Sequence, residues 1–224
     1  MTALQALDFG VVWEYGPALL QGLLVSLALT LIGFGVGGVA LGTVLALAAG
    51  SRLRAVRWPA RAFVEFWRST PLLVQAVWMH FALPAITGWR TSPFQSAAIA
   101  LVLNVGAYCG EIIRAGIAGV PRGQTEAARA LGLPPRIVAL RVVLPQAVRL
   151  VVPPLVGSAI SVFKATAILS VLSVNDLMRV AQRVSANTYQ PIETYTAAAA
   201  LYLAAGLAIT GAGALVERSF RRAG

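Results

Sequence analysis

No charged residue interrupts the chain from Tyr15 to Ser51, from Ser69 to Trp89, from Thr91 to Gly110 or from Thr194 to Val216. A further apolar stretch, Leu150 to Asn175, is broken only by Lys164. A membrane-spanning helix needs ~20 mostly apolar residues. The pattern therefore predicts an all-α integral membrane protein with five transmembrane helices, over 19–44, 62–83, 95–118, 152–173 and 194–216, in one domain covering 1–224. The first span is expected to stay in place and not be cleaved as a signal peptide: it is too long, and Asp8 and Glu14 precede it instead of a basic cluster. Gly33/Gly37 and Gly38/Gly42 have the spacing that brings helix backbones together, within one subunit or between two. Pro71 falls inside the second span and Pro153–Pro154 open the fourth, so kinked or broken backbone is expected at both places.

Composition agrees. Of 224 residues, 58% are hydrophobic and 12% charged, against about 25% charged in ordinary globular domains. A water-soluble enzyme and a disordered tail are both excluded. One cysteine, Cys109, and one histidine, His80, leave neither a disulfide framework nor a metal cluster, and no metal site is expected. The net charge of +10 would suit nucleic acid, but its distribution argues otherwise. Twelve of the 18 Lys and Arg residues fall in one set of loops (among them Arg52, Arg54, Arg57, Arg61, Arg122, Arg129, Arg218, Arg221 and Arg222), and only Arg90, Arg179 and Arg183 fall in the other. By the positive-inside rule the N-terminus lies outside and the C-terminus in the cytoplasm. The basic charge reports topology, and no nucleic-acid partner is implied.

The loop 120–149 carries the most specific pattern. Thr125 to Leu131 reads as a short helix by propensity, Gly132 as its C-terminal stop, and Pro134–Pro135 as the start of a second piece with an apolar face. Such an element either docks on a partner or lies on the membrane surface. Glu126-Ala127-Ala128, Gly132, Val142 and Leu144-Pro145 are similar to the EAA motif of bacterial ATP-binding-cassette importer permeases, with Val142 where isoleucine is usual. Phe66 to Gln75, Tyr108 to Gln124 and Phe163 to Val171 resemble the polar amino-acid branch, the histidine/glutamine/arginine type; Ser69 and Ala165 depart from its usual glycine and aspartate.

That resemblance implies a type I importer permease fold, working as a pair of permease subunits, identical or paralogous, in the bacterial inner membrane. It implies two cytoplasmic ATP-binding subunits beneath, an extracytoplasmic solute-binding protein above, and an amino-acid substrate. Glu126–Leu131 would be the coupling helix. The chain itself has no Gly-x4-Gly-Lys-Ser/Thr loop, so it is not expected to be an enzyme or to hold a cofactor; Mg-ATP would be used by the partner.

Charges inside spans are expensive and mark function by default. Glu65/Arg68 and Glu111/Arg114 each sit three apart on one helix face, in the cytoplasmic half of their spans. They read as two self-neutralising pairs or as a gate that exchanges partners. Lys164 has no acid three or four residues away. Counted from Pro154 it lies about 15 Å into the fourth span, near the midplane, where it pairs with a carboxylate of the protein or of the substrate. Asn104 and Ser161 either line the path or make interhelical hydrogen bonds; His80 and Cys109 are read as bystanders. An importer of another small solute, or an ion-coupled carrier, is the alternative; the latter would show a repeat of spans that is not evident here.

Overall fold

A computed structural model describes residues 7–222, except the side chains of Arg221 and Arg222, so these two members of the basic C-terminal cluster lie outside the description. The described chain is helical, with α1 at Gly10–Ala49, α2 at Arg54–Ser69, α3 at Leu72–Thr87, α4 at Pro93–Ala118 and α5 at Arg122–Ala130. Then come α6 at Pro135–Leu172, α7 at Leu177–Thr188 and α8 at Pro191–Arg222. Helices α1, α4, α6 and α8 are long and apolar enough to cross a membrane, and α2 with α3 makes a fifth if the bent pair is one span. Outward-facing Leu24, Leu31, Leu203 and Leu207 are exposed, as a lipid-facing surface requires.

The glycines of α1 set its closest packing, and they act within this subunit. A Cβ on Gly37 would stand 2.5 Å from the Val102 carbonyl oxygen of α4, and one on Gly106 would stand 3.1 Å from the Gly37 carbonyl oxygen. Gly33–Leu41, the glycine-rich part of α1, widens into π-helical turns along this seam. Leu29, Leu101, Val105, Val162 and Leu169 fill the core between α1, α4 and α6.

The second span is not the straight 62–83 helix that its apolar run predicts. It breaks at Thr70–Pro71, and α2 and α3 meet at 103°. Pro71 offers no N–H to the Trp67 carbonyl one turn back, and it holds Thr70 extended at φ −110°, ψ 140°. The fourth span also departs from 152–173. Its helix starts at Pro135 and runs through Pro153–Pro154, which stand mid-helix and do not open it. A wide turn over Val138–Val143 leads into Pro145, and Gln146 Nε2 donates to the Val142 carbonyl oxygen at 2.8 Å.

Helix α7 takes the place of a loop. Leu177, Val180, Ala181 and Val184 form one buried stripe against α1 and α8. Its N-cap is Asp176, fully buried, whose Oδ1 accepts from the Arg179 N–H at 2.9 Å. Gly22 gives it room: a Cβ there would lie 2.9 Å from Leu177 Cα.

Candidate functional site

Three places hold the residues that the sequence singles out. The first is the turn after α4. Helix α5 starts at Arg122, three residues before the expected Thr125, and ends in a full Schellman arrangement. The Gly132 N–H donates to the Arg129 carbonyl oxygen at 2.9 Å, and the Leu133 N–H to that of Ala128 at 3.2 Å, with Gly132 at φ +73°. Ala128 is buried toward α6, whereas Glu126, Ala127 and Leu131 face outward; Leu131 is 80% exposed. The expected loop 120–149 is shorter than drawn. Leu144 and Pro145 belong to α6, because the apolar face from Ile137 to Leu144 continues as helix directly into the span.

The second place is a polar cavity of about 330 Å³ at the end of the bundle where α1 and α4 finish. Arg61, Glu65 and Arg68 of α2 face Glu111 and Arg114 of α4 across it. Arg114 grips Glu111 with two bonds, Nε to Oε2 at 2.8 Å and Nη2 to Oε1 at 2.5 Å. Glu65 and Arg68 share the same spacing and do not pair with each other. The Glu65 carboxylate accepts from Ser69 Oγ at 3.3 Å, and the Arg68 guanidinium lies 5.6 Å from the Tyr108 ring centroid. Arg61 Nε donates to the Ala49 carbonyl oxygen at 3.3 Å, tying α2 to the end of α1. The four expected residues are thus gathered in one cavity, as one closed pair and two separately engaged charges.

The third is a cavity of about 380 Å³ between α3, α4 and α6, lined by Asn104, Tyr108, Ser158 and Ser161 among apolar walls such as Leu101 and Ile112. Asn104 of α4 reaches the broken end of α2. Its Nδ2 donates to the Trp67 carbonyl oxygen at 3.2 Å and to Gln75 Oε1 at 3.0 Å. Gln75 Nε2 in turn donates to the carbonyl oxygens of Trp67 at 2.9 Å and Thr70 at 3.0 Å. Tyr108 Oη donates to the Arg68 carbonyl oxygen at 3.2 Å. The carbonyls that Pro71 orphans are therefore capped by side chains that also face the cavity or stand behind it. Tyr108 is shared: it lines this cavity, and its ring carries Arg68 of the neighbouring one.

Lys164 is not in either cavity. It is exposed on the far side of α6, beside Tyr202 and Leu203, at a shallow recess of about 200 Å³. The midplane position was counted from a helix starting at Pro154; with α6 starting at Pro135, Lys164 stands eight residues from its far end at Leu172.

Gln75 and Tyr108 were not singled out by sequence, although both stand within stretches that carry the family resemblance. Tyr108 is four residues after Asn104, on the same helix face. Helix α7 was passed over as a loop, and its apolar recurrence at i, i+3, i+4 and i+7 was the available signal.

Residues 38–222 match the family of binding-protein-dependent transport system inner membrane components. The chain is 36% identical to the arginine transport system permease protein ArtQ of Bacillus subtilis, over 96% of this chain and 98% of that one. It is 38% identical to a putative glutamine transport system permease protein GlnP of Rickettsia conorii, over 89% and 91%. Its fold superposes on a chain from the crystal structure of an amino acid ABC transporter with histidines, with a TM-score of 0.90, 34% identity and coverage of 96% and 99%. The helical fold is thus that of a type I importer permease, and the chain belongs to the binding-protein-dependent transport system inner membrane component family.

Proposed function

We propose that this chain is the membrane-spanning subunit of an ATP-driven importer that moves an amino acid across a bacterial inner membrane. The observation that carries the reading is the α5 turn. An exposed Glu126, Ala127 and Leu131 on a short helix, locked by a left-handed Gly132, project from the end of the bundle where α4 finishes. An apolar, outward-facing tip of this kind suits a partner's cleft. The amino-acid substrate is supported by relatives named for arginine and glutamine. Two ATP-binding subunits seat on this turn and its counterpart in a second permease subunit, and Mg-ATP is used there. The turn faces the cytoplasm with the C-terminus, and a solute-binding protein delivers from the other side.

Transport proceeds by alternating access. Closure of the ATPase pair pushes α5, and α6 follows directly because Ala128 is buried toward it. Solute occupies the Asn104–Ser161 cavity, then passes Tyr108 into the charged cavity of Glu65, Arg68, Glu111 and Arg114, whose arginines and carboxylates can exchange partners as α2 and α4 separate. Leu144 and Pro145 belong to the first turns of α6 that receive the push.

ATPase activity in nanodiscs tests this. The permease is co-expressed with its ATPase and mate subunits, and the binding protein is added with a panel of amino acids. One liganded binding protein should stimulate hydrolysis, and the stimulation should disappear when Glu126 and Gly132 are replaced. An ATPase that never co-purifies, with uptake following a proton or sodium gradient, refutes the reading.

A further inference from the structure

We propose that the solute is an α-amino acid with an uncharged side chain, held with its ammonium group in the Asn104–Tyr108–Ser161 cavity and its carboxylate toward Arg68. This rests on the reading of that cavity as part of the path. No charged side chain lines the cavity. Its unused hydrogen-bonding capacity is mostly of one kind. Both Nδ2 protons of Asn104 are spent on Trp67 and Gln75, and no donor among the described residues reaches its Oδ1. Tyr108 spends its proton on the Arg68 carbonyl, and Ser161 spends its own on the Gly157 carbonyl oxygen at 3.0 Å. What remains is oxygen lone pairs, which accept from an ammonium and repel a carboxylate, beside one hydroxyl, Ser158, that meets Cys109 Sγ at 3.4 Å and can serve either way.

A carboxylate finds its partner in the neighbouring cavity, past Tyr108. The Arg68 guanidinium lies over the Tyr108 ring and is not paired with Glu65, which accepts from Ser69 instead. The rest of the wall is apolar, with Leu101, Val105, Ile112 and Val162. A neutral side chain can be buried there at little cost. The side chain of arginine or lysine would bring a second cation into a space without a carboxylate, and that of glutamate an anion without a cation, and burying either unpaired is expensive. The next cavity offers an acid no better placed, since Glu111 is gripped by Arg114, and Glu65, held by Ser69, stands in a space where three arginines face two carboxylates. The cavity lies at the small end of the ~300–1,000 Å³ range of ligand pockets, which suits a single amino acid.

The test is equilibrium binding of radiolabelled glutamine, arginine and glutamate to the assembled transporter in nanodiscs, without the solute-binding protein, so that its own selectivity does not enter. Where binding is too weak to read directly, stimulation of ATPase activity by the same free amino acids decides in the same way. Glutamine should bind at least about tenfold more tightly than arginine or glutamate. Ser161→Asp should close or reverse the gap for arginine, and Ser161→Lys that for glutamate. Ser161 is the chosen position because its hydroxyl bonds only within its own helix, so the fold does not lean on it. Arginine binding as tightly as glutamine, with affinities that still move on Ser161 substitution, overturns the charge selectivity and leaves the cavity on the path. Affinities that neither substitution moves overturn the cavity reading, and the proposal with it.

Discussion

Two helix ends in this molecule meet the same problem and solve it differently. The last carbonyls of any α-helix lack intrahelical donors. At the end of α5, in the open, the backbone supplies its own: Gly132 turns left-handed, and the next N–H groups fold back on Ala128 and Arg129. At the end of α2, inside the bundle, Pro71 removes the donor, and side chains from elsewhere supply it: Gln75 from α3, Asn104 and Tyr108 from α4. The exposed end is a local device and, on the proposed function, aims a helix at a partner. The internal end ties the fold to the cavity, because two of the residues that cap it, Asn104 and Tyr108, also line it.

The largest expected effect comes from unmaking the internal cap. Gln75→Leu leaves the Thr70 carbonyl without a donor and takes away an acceptor of Asn104, at about 1–3 kcal/mol for each unpaired group. The unfolding midpoint in detergent should fall sharply. A midpoint near wild type would mean that the internal end is as self-sufficient as the exposed one.

Gly132→Leu comes next. Nothing lies within 4 Å of a Cβ there, so the cost is the backbone conformation alone, about 1–2 kcal/mol for a left-handed L-residue. The protein should keep its place and abundance in the membrane and hydrolyse ATP with its partner, while uptake falls. Gly132→Asn, which tolerates that conformation better, should recover part of it. Normal uptake in the leucine variant would separate the turn from coupling.

A third helix end, the buried start of α7, changes a slope more than a level. Burial pushes the Asp176 carboxyl from its ordinary value near 3.8 up to about 6, against the opposing pull of the Arg179 and Met178 N–H groups and the Tyr202 hydroxyl. The folded chain therefore holds this proton more tightly than the unfolded one. Its contribution to stability is full below about pH 3.8 and is lost as pH rises through about 6. Thermal unfolding between pH 4 and 7 should show that decline, and Asp176→Asn should flatten it. The smallest effect is expected from Tyr108→Phe, which removes one hydrogen bond, about 0.5–1.5 kcal/mol, and keeps the ring under Arg68; a midpoint loss matching that of Gln75→Leu would place the weight of the cap on α4 instead of α3.

The contrast also explains what could be read from the sequence. Apolar runs locate the spans, because the bilayer asks the same of each one. The Glu126-to-Gly132 turn was legible because its signal, a propensity run and a glycine stop, is contained in one short stretch. The bend at Pro71 was visible as a disturbance, but not the 103° turn, which depends on donors 37 residues away on α4. Spacing put Glu65 and Arg68 on one face, yet a face does not choose a partner; Ser69 and Tyr108 do. Proline mid-helix and proline at a helix start look alike in sequence, so Pro153–Pro154 read as the opening of a helix that in fact runs through them, and spacing could not say that Lys164 lies outside both cavities.

The central claim is that the Asn104–Ser161 cavity opens to opposite sides of the membrane in turn. It is tested most directly by labelling Ser161→Cys, in a Cys109→Ala background, with a membrane-impermeant maleimide in sealed proteoliposomes holding the complete importer. The label should react from the cytoplasmic face without nucleotide and from the opposite face when the ATPase is trapped with ATP and vanadate. Reaction from the same face in both states would contradict alternating access through this cavity.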